Sequence, residues 1–305
     1  MAMSGYTVLV TGGTGQVGLE LLRQSWPADV TVLAPARDQL DLASGDSIAA
    51  WFASREVHCI INPAAYTAVD LAEDNVGAAF LANAQGPAWL ADIARQRDIP
   101  LLHVSTDYVF DGSLDRPYHE EDPVSPLGAY GASKLAGELA VRAGAPRHVI
   151  LRTAWVISAQ RNNFLKTMLR LAAERPELSV VADQHGCPTS ARDIAATLRT
   201  IALAHLADGS APSGTYHFVN DGSTTWHGLA EAVMAASRAH GGAAVPVRPI
   251  ASADFPTRAR RPGNSRLGTA KIRSDFGIAP RPWQDIVEQI VSELSLPSPK
   301  SEKLT

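Results

Sequence analysis

The sequence predicts an α/β protein in which a doubly wound parallel sheet is followed by a smaller C-terminal α/β lobe. Three observations support this fold class. Short apolar runs alternate with helical segments through the first half of the chain, and a glycine-rich loop follows the first run. After residue 157 the strands lie farther apart and proline is frequent. We expect a first lobe over residues 1–157 and a second over residues 158–305.

The composition is that of a globular protein. Hydrophobic residues make up 46% of the 305 residues and charged residues 19%, which argues against a disordered or fibrous chain. The net charge of −4 does not predict a nucleic-acid-binding surface. Two cysteines are too few for a disulfide scaffold, the N-terminal residues do not resemble a signal peptide, and no apolar run reaches the roughly 18 residues of a membrane span. We expect a cytoplasmic enzyme that binds neither nucleic acid nor membrane.

Five short runs rich in Val, Ile and Leu are predicted to be the strands of the sheet. Runs of this kind, bounded by Gly, Pro, Asp or Ser, are typical of parallel strands that are covered on both faces. The predicted strands cover residues 7–10, 30–34, 59–62, 100–104 and 148–152. The helices predicted between them cover residues 17–26, 47–55, 80–97 and 130–143.

The second lobe is predicted to contain three helices and two strands. The helices cover residues 164–173, 192–206 and 226–238, and the strands cover residues 178–181 and 216–220. Part of residues 192–220 is expected to return to the first lobe. The polar tail from Ser298 is expected to be frayed.

The glycine loop follows the first strand directly. Gly12, Gly15 and Gly18 are spaced three apart, and the segment after them has helical periodicity. A loop of this kind turns tightly, lets a phosphate approach the backbone N–H groups, and lets the helix pack closely on its strand. The pattern in this position predicts a Rossmann-type dinucleotide-binding lobe.

Two charged residues bear on the choice of dinucleotide. Asp38 lies twenty residues after Gly18, where an acid could bind the adenosine ribose. Its neighbour Arg37 could instead neutralise a 2′-phosphate. Both could also be solvated loop charges. We expect NADPH, with NADH as the alternative.

A tyrosine and a lysine follow at helical spacing. Tyr130 and Lys134 are four residues apart, so they share one face of a predicted helix. A lysine cation beside the phenol would lower a pKa that is otherwise near 10. Tyr130 would then be a usable proton donor at neutral pH.

Hydroxyl side chains stand where the fourth predicted strand ends. Ser105 and Thr106 lie there, and ligands of open α/β sheets bind at the carboxyl ends of the strands. A hydroxyl in this place can hydrogen-bond a substrate carbonyl beside the tyrosine. The order of glycine loop, strand-end hydroxyl and Tyr/Lys helix therefore favours an oxidoreductase.

Together these residues resemble the extended short-chain dehydrogenase/reductase superfamily and, within it, the dTDP-4-dehydrorhamnose reductase family. The finer resemblance extends from about Val8 to Leu294. It is carried by residues 105–110 (STDYVF), 152–155 (RTAW), 163–169 (NFLKTML), 182–184 (ADQ), 186–189 (GCPT), 224–227 (TTWH) and 261–267 (RPGNSRL).

The resemblance implies a reaction and three catalytic roles. A nicotinamide hydride would reduce the C4 ketone of dTDP-4-dehydro-β-L-rhamnose to dTDP-L-rhamnose, the last step of dTDP-L-rhamnose synthesis. Tyr130 would be the acid, Lys134 its pKa partner and a ribose ligand, and Thr106 the hydroxyl that orients the carbonyl.

The resemblance also implies the binding residues. Besides Tyr130 and Lys134, the cofactor contacts would be Gly12, Gly15, Gln16, Val17, Asp41, Leu42, Ala64, Ala65, Tyr66 and Asn83. Besides Thr106 and Tyr130, the substrate contacts would be Asp107, Tyr108, Trp155, Asn163, Arg261, Asn264 and Ser265. For Trp155 a place in the core is the alternative, and for the arginines around Arg261 a solvated face.

Metal binding and assembly stay open at this point. Some members of the family hold Mg²⁺ at a dimer interface through glutamates, and Glu20 matches one such position. Arg192 or a neighbour stands where another such glutamate is expected, so a metal-bridged dimer is in doubt. We assign no metal ligand, expect Glu20 to be solvated, and expect a monomer or a homodimer.

Two other functions remain as alternatives. One is a different nucleotide-sugar epimerase, dehydratase or reductase of the extended superfamily. The other is a non-catalytic dinucleotide-binding subunit that regulates a partner enzyme. The complete set of Thr106, Tyr130 and Lys134 favours an enzyme over the second alternative.

Overall fold

The computed structural model describes residues 5–295, so the predicted tail from Ser298 lies outside the described residues. The strands are β1 (Tyr6–Val10), β2 (Val30–Leu33), β3 (Cys59–Asn62), β4 (Leu101–Thr106), β5 (His148–Thr153), β6 (Val156–Ile157), β7 (Leu178–Val181), β8 (His185–Gly186), β9 (Thr189–Ser190), β10 (Gly214–His217), β11 (Thr224–Thr225), β12 (Val247–Ile250) and β13 (Asn264–Ser265). A central sheet has the order β10-β5-β4-β3-β1-β2 with every pair parallel. The predicted doubly wound parallel sheet is therefore confirmed.

Helices cover both faces of this sheet and build the second lobe. They are α1 (Gln16–Leu22), α2 (Gly45–Ala53), α3 (Val69–Asp74), α4 (Val76–Phe80), α5 (Gly86–Arg97), α6 (Ala129–Gly144), α7 (Phe164–Glu174), α8 (Ala191–Ala207), α9 (Trp226–Ala239), α10 (Ala270–Phe276) and α11 (Trp283–Ser295). Short 3-10 turns cover Asp107–Val109 and Ser252–Asp254, and a π turn covers Leu81–Gln85.

The apolar runs form strands because both of their faces are buried. Val8 and Val10 of β1 pack with α1 and α8 on one face of the sheet. Leu9, between them, packs with α2 and α5 on the other face. Successive strand side chains point to opposite faces, so a strand covered on both sides must be apolar at every position. The carboxyl ends of β1, β3, β4 and β5 consequently lie side by side at one edge of the sheet.

Residues 192–220 lie against the first lobe. Helix α8 packs on α1, and β10 pairs with β5 as the edge strand of the central sheet. Ile194, Leu198 and Ile201 are fully buried in the same core as Val8 and Val10. Helix α8, which follows α7 of the second lobe in the chain, therefore covers this face of the sheet.

The second lobe has its own apolar core. Helices α7, α9 and α11 pack together with β7, which pairs with β12 in a small parallel sheet. Short pairings of β8 with β11 and β13, and of β6 with β9, join this lobe to the edge of the first. No helix within residues 5–295 is long and apolar enough to cross a membrane.

One predicted helix is divided in the structure. The helix predicted over residues 80–97 consists of α4, the π turn Leu81–Gln85 and α5. Pro87 stands in the first turn of α5, directly after the π turn, and has no N–H to donate back into that turn. The π turn carries Asn83 into the interior, where the side chain is fully buried. Wide turns of this kind are frequent at functional sites.

A buried ion pair joins α6 to the sheet. Arg152 of β5 donates from Nε and a terminal nitrogen to the two carboxylate oxygens of Glu138, at 2.9 and 2.7 Å. The side chains are 2% and 0% exposed. Arg152 also lies over the ring of Phe110, 5.0 Å from its centre. This pair fixes the helix that carries Tyr130 and Lys134 against β5.

Candidate active site

The glycine loop has a backbone that only glycine accommodates easily. Gly12 has φ +58°, and a Cβ there would lie 2.9 Å from Cα and Cβ of Ala64. A Cβ on Gly18 would collide with the Gly12 carbonyl oxygen. Gly15 is exposed, precedes α1, and donates its N–H to the Gly12 oxygen at 2.9 Å. The loop therefore presents bare backbone between β1 and the segment after β3.

The segment after β3 forms the opposite wall, and Asn83 holds it in place. Asn83 accepts the Tyr66 N–H at 2.7 Å and donates to the Tyr66 carbonyl oxygen and to Ser133 Oγ, each at 3.0 Å. Its amide is thereby used in fixing the backbone at Ala64, Ala65 and Tyr66. The sequence does not reveal this bracing role.

Asp41 and Leu42 lie after β2, beside this wall. Asp41 accepts the Ala43 N–H at 2.9 Å and forms an ion pair with Arg37 at 3.4 Å. Arg37 is highly exposed, as is Asp38. A basic side chain thus stands at the end of β2.

Gln16 connects the glycine loop to the second lobe. Its Oε1 accepts hydrogen bonds from Ser158 Oγ at 2.8 Å and from Asn163 Nδ2 at 3.0 Å. Asn163 also caps α7 by accepting the Lys166 N–H at 3.2 Å. The structure therefore places Asn163 at the junction of the two lobes, against a residue of the glycine loop.

Thr106 and Tyr130 meet at the end of β4. Thr106 is buried, donates to Asp107 Oδ1 at 2.9 Å and accepts the Tyr108 N–H at 3.2 Å. The half-buried Tyr130 ring packs edge-on against Tyr108, with centroids 5.5 Å apart. Burial raises the pKa of the Tyr130 phenol, while its interaction with the Thr106 hydroxyl lowers that pKa.

The expected effect of Lys134 on Tyr130 is not observed in this structure. Lys134 is 2% exposed and donates from Nζ to the Val104 carbonyl oxygen at 2.7 Å. Burial lowers the pKa of Lys134 to about 8, and the charge of Glu138 raises it. The pKa of Tyr130 is raised, contrary to the lowering inferred from spacing, because desolvation of the phenolate outweighs the other influences.

Asp107 is a buried carboxylate that faces the same space. Burial raises its pKa to about 6, whereas interactions with Ser265, Thr106 and two backbone groups lower it. Its Oδ2 has no hydrogen-bond partner within residues 5–295, and the same holds for Ser105 Oγ and Thr153 Oγ1. Orphaned buried polar atoms are rare in folded proteins, so Asp107 Oδ2 is a candidate contact for a polar ligand.

The loop that contains Arg261 crosses from the second lobe to α3. Arg261 pairs with Asp70 at 2.6 Å and lies 5.9 Å from the centre of the Tyr108 ring. Asp70 also accepts the Ala259 N–H at 3.1 Å. One terminal nitrogen of Arg261 is buried without a partner within residues 5–295. The ion pair with Asp70 therefore holds Arg261 in place, and one of its terminal N–H groups remains for a ligand.

Asn264 and Ser265 occupy different surroundings. Asn264 donates to the Leu114 and Arg116 carbonyl oxygens at 2.8 and 2.7 Å and accepts the Arg266 N–H at 3.1 Å, so its side chain holds a neighbouring loop. Ser265 faces Asp107. The structure places Ser265 in the candidate site and Asn264 behind it.

Trp155 lies at the start of the second lobe in an unusual backbone conformation. Its φ is +47°, and its half-buried ring stacks on Trp226 with centroids 3.6 Å apart. Gly186 lies against the ring, where a Cβ would collide with it. An L residue held in the left-handed region costs about 1–3 kcal/mol, so the surrounding packing must hold this conformation in place.

The expectation that Glu20 is solvated is wrong. Glu20 is 2% exposed and pairs with Arg192 of α8 and with Arg23, each at 3.4 Å. Arg192 also binds Glu293 of α11 at 2.7 Å. The glutamate faces inward because α8 returns to cover α1, and Arg192 neutralises it.

The chain is similar to known proteins along nearly its whole length. The family model described as the RmlD substrate binding domain matches residues 6–296. The dTDP-4-dehydrorhamnose reductase of Sinorhizobium fredii is 43% identical over 288 residues, which cover 94% of this chain and 97% of the relative.

Solved structures show the same architecture. The dTDP-4-dehydrorhamnose reductase of Clostridium acetobutylicum superposes with a TM-score of 0.89 at 33% identity, covering 95% of this chain and 100% of that one. The Bacillus anthracis enzyme, solved in complex with NADP, superposes with a TM-score of 0.88 at 32% identity over 95% of this chain and 99% of that one. Since the match spans both lobes as well as the glycine loop and the Tyr130–Lys134 helix, this chain belongs to the dTDP-4-dehydrorhamnose reductase family.

Proposed function

We propose that this protein reduces the C4 ketone of dTDP-4-dehydro-β-L-rhamnose with NADPH, which gives dTDP-L-rhamnose. The observation that carries the proposal is the meeting of Thr106, Tyr130 and buried Lys134 at the end of β4. The Sinorhizobium fredii relative, which matches 94% of this chain, is named dTDP-4-dehydrorhamnose reductase.

The residues present fit a dinucleotide. The bare backbone at Gly12, Gly15 and Gly18 and the small side chains of Ala64 and Ala65 leave the room that a pyrophosphate requires. We assign the cofactor contacts to the glycine loop with Gln16 and Val17, to Asp41 and Leu42, to the Ala64–Tyr66 backbone that Asn83 braces, and to Tyr130 and Lys134. Arg37 supports NADPH over NADH because a guanidinium suits a 2′-phosphate. Bound NADPH supplies the hydride.

Tyr130 supplies the proton. Its raised pKa keeps the phenol protonated at neutral pH, so it can donate to the oxygen that becomes an alkoxide on reduction. The Thr106 hydroxyl lies beside the phenol and would orient the carbonyl oxygen by turning its proton from Asp107 Oδ1 to that oxygen. Lys134, held by the Val104 carbonyl oxygen, would bind the ribose of the nicotinamide.

The remaining polar groups are assigned to the substrate. Asp107, with its free Oδ2, and Ser265 would bind sugar hydroxyls, and Tyr108 would line the same space. Arg261 would donate its unpartnered nitrogen to the diphosphate. Half-buried Trp155 would contact the sugar with the part of its ring that the stacking on Trp226 leaves exposed. Asn163 and Asn264 would act by holding the loops that carry these contacts.

We also propose where the two lobes divide and whether turnover needs a metal. We place the cofactor lobe at residues 1–157 together with α8, β10 and α10, and the substrate lobe around the core of α7, α9 and α11. Glu20 does not fit a Mg²⁺ site because Arg192 already neutralises it. Turnover is therefore expected to need no Mg²⁺, by either a monomer or a homodimer.

The test is a turnover assay with the purified full-length chain. NADPH and enzymatically generated dTDP-4-dehydro-β-L-rhamnose are mixed with the protein, and reduced-nicotinamide absorbance is followed with and without EDTA. Substrate-dependent loss of absorbance that EDTA does not change is expected. Tight NADPH binding without oxidation would contradict the proposal and favour a regulatory subunit.

Asp107 predicts a pH dependence. Its pKa of about 6 means that it is ionised above this pH and neutral below it. Since a carboxylate accepts stronger hydrogen bonds than a carboxylic acid does, kcat/KM for the sugar should rise as the pH rises through about 6.

The Asp107→Asn variant tests this assignment. The variant should lose the rise of kcat/KM near pH 6. At pH 7.5 its kcat/KM should fall about 10- to 100-fold, which corresponds to the loss of one to two hydrogen bonds to a charged group. Exposed Asp183→Asn is the control, with an unchanged profile. An acid limb that persists in Asp107→Asn would show that another group titrates.

A further inference from the structure

A chain of buried polar side chains runs beneath the site, from the glycine loop to Lys134. Thr11 Oγ1 donates to Asn62 Oδ1 at 2.5 Å, and Asn62 Nδ2 lies 3.0 Å from His103 Nδ1. His103 Nε2 lies 3.4 Å from Lys134 Nζ. The chain crosses β3 and β4 in register, since Asn62 and His103 are paired residues of neighbouring strands.

These side chains occupy positions where apolar residues would be expected. His103 and Asn62 are 0% exposed and Thr11 is 2% exposed. Burying a polar group costs free energy unless the group is hydrogen-bonded. Each of these side chains hydrogen-bonds its neighbour in the row, which offsets that cost. The only member that approaches the reacting groups is Lys134.

The His103 ring can hydrogen-bond the Lys134 amine whether that amine is charged or neutral. Burial and the charge of Lys134 hold the pKa of His103 well below its usual range, so the ring is neutral and has one donor and one acceptor nitrogen. When Lys134 is an ammonium, Nε2 is the acceptor and Nδ1–H donates to Asn62, whose carboxamide is then turned to present Oδ1 in place of the Nδ2 that faces the ring in the structure. The Asn62 carboxamide can offer either its oxygen or its nitrogen, and the Thr11 hydroxyl can likewise donate or accept.

Few other charges surround this contact. Glu138 lies one turn after Lys134 on α6 and is neutralised by Arg152 of β5. Tyr130 lies one turn before Lys134, and Val104 of β4 contributes only its carbonyl oxygen. His103 is therefore the titratable group of β4 that touches Lys134 directly.

We propose that His103 is a positioning residue which holds Lys134 Nζ at the end of β4 and stabilises its ammonium form. The inference rests on the proposed role of Lys134 in turnover. It assigns to a buried core histidine a place in the reaction that neither the glycine loop nor the Tyr/Lys spacing reveals. His103 itself touches neither the sugar nor the cofactor in this account.

The first test compares two substitutions through the pH profile of kcat. His103→Leu removes the acceptor, which should move the basic limb of kcat about one pH unit to lower pH, the value of one hydrogen bond to a charged group, and so lower kcat about 10-fold at pH values above the limb. His103→Gln keeps an acceptor for Lys134 and a donor for Asn62, so it should restore the wild-type limb. His205→Gln, a buried histidine at the opposite end of the sheet, is the control for burial alone.

The second test does not depend on turnover. In protein labelled with ¹⁵N-histidine, the His103 Nε2 signal should move as Lys134 titrates near pH 8, and Lys134→Met should abolish that movement while the ring stays neutral. This measurement decides the proposal even if the protein shows no reductase activity or His103→Leu does not fold. A His103 signal that is unaffected by pH and by Lys134→Met would overturn it, as would a His103→Leu profile equal to that of the wild type or an equal loss in His103→Gln.

Discussion

Tyr130→Phe is expected to reduce turnover about 10²- to 10⁴-fold, the usual contribution of a positioned general acid. We propose the Tyr130 phenol, which lies beside Thr106, as the proton donor. Because only the hydroxyl is removed, the ring contact with Tyr108 is kept. NADPH affinity, followed by fluorescence titration, should change little.

The control for this variant is Tyr6→Phe. Tyr6 lies at the start of β1, at the opposite end of the sheet, and packs edge-on against His58. It should leave kcat unchanged. If Tyr130→Phe turned over as fast as Tyr6→Phe, the proton would come from another group, and the assignment of the acid would be wrong.

Arg152→Met should lower the free energy of unfolding by about 3–5 kcal/mol, because it leaves the Glu138 carboxylate buried without its partner. The loss is expected to be large since the pair is bidentate and at most 2% exposed. Removal also takes away the cation that lies over Phe110. Urea denaturation, read as the change in midpoint at constant slope, measures the effect.

Two further variants compare the contribution of the buried ion pair to stability with that of an exposed ion pair. Arg170→Met breaks the exposed Arg170–Glu174 pair and should cost about 0.5 kcal/mol or less. Replacing both buried partners, Glu138→Met with Arg152→Met, should recover much of the loss because no charge is then left unpaired. A cost for Arg152→Met as small as that for Arg170→Met would contradict this expectation and would mean that Arg142, 3.7 Å from Glu138, pairs with the carboxylate instead.

The sheet could be predicted because its strands are buried on both faces. The run over residues 59–62 has the bounds of β3, and neighbouring strands differ from prediction by one or two residues at their ends. Helices α3, α10 and α11 were not predicted. Helices α3 and α10 are short, and α11 follows a proline-containing segment whose place against α9 depends on the whole second lobe.

The site could be predicted in part, for a related reason. Tyr130 and Lys134 share a helix and Thr106 ends a strand, so local spacing places them correctly. The pairing of Asp70 with Arg261 joins residues 191 positions apart, and no periodicity indicates it. Glu20 was misplaced because its burial depends on α8, and His103 looks like any other residue of an apolar strand.

The central claim is tested most directly by following deuterium from NADPH to the sugar. The protein is given NADPH deuterated at the transferable position of the nicotinamide together with dTDP-4-dehydro-β-L-rhamnose, and the product is examined by NMR and mass spectrometry. We expect dTDP-L-rhamnose with one deuterium at C4 of the sugar. A product without deuterium, deuterium at another carbon, or unchanged substrate in the presence of bound NADPH would contradict it.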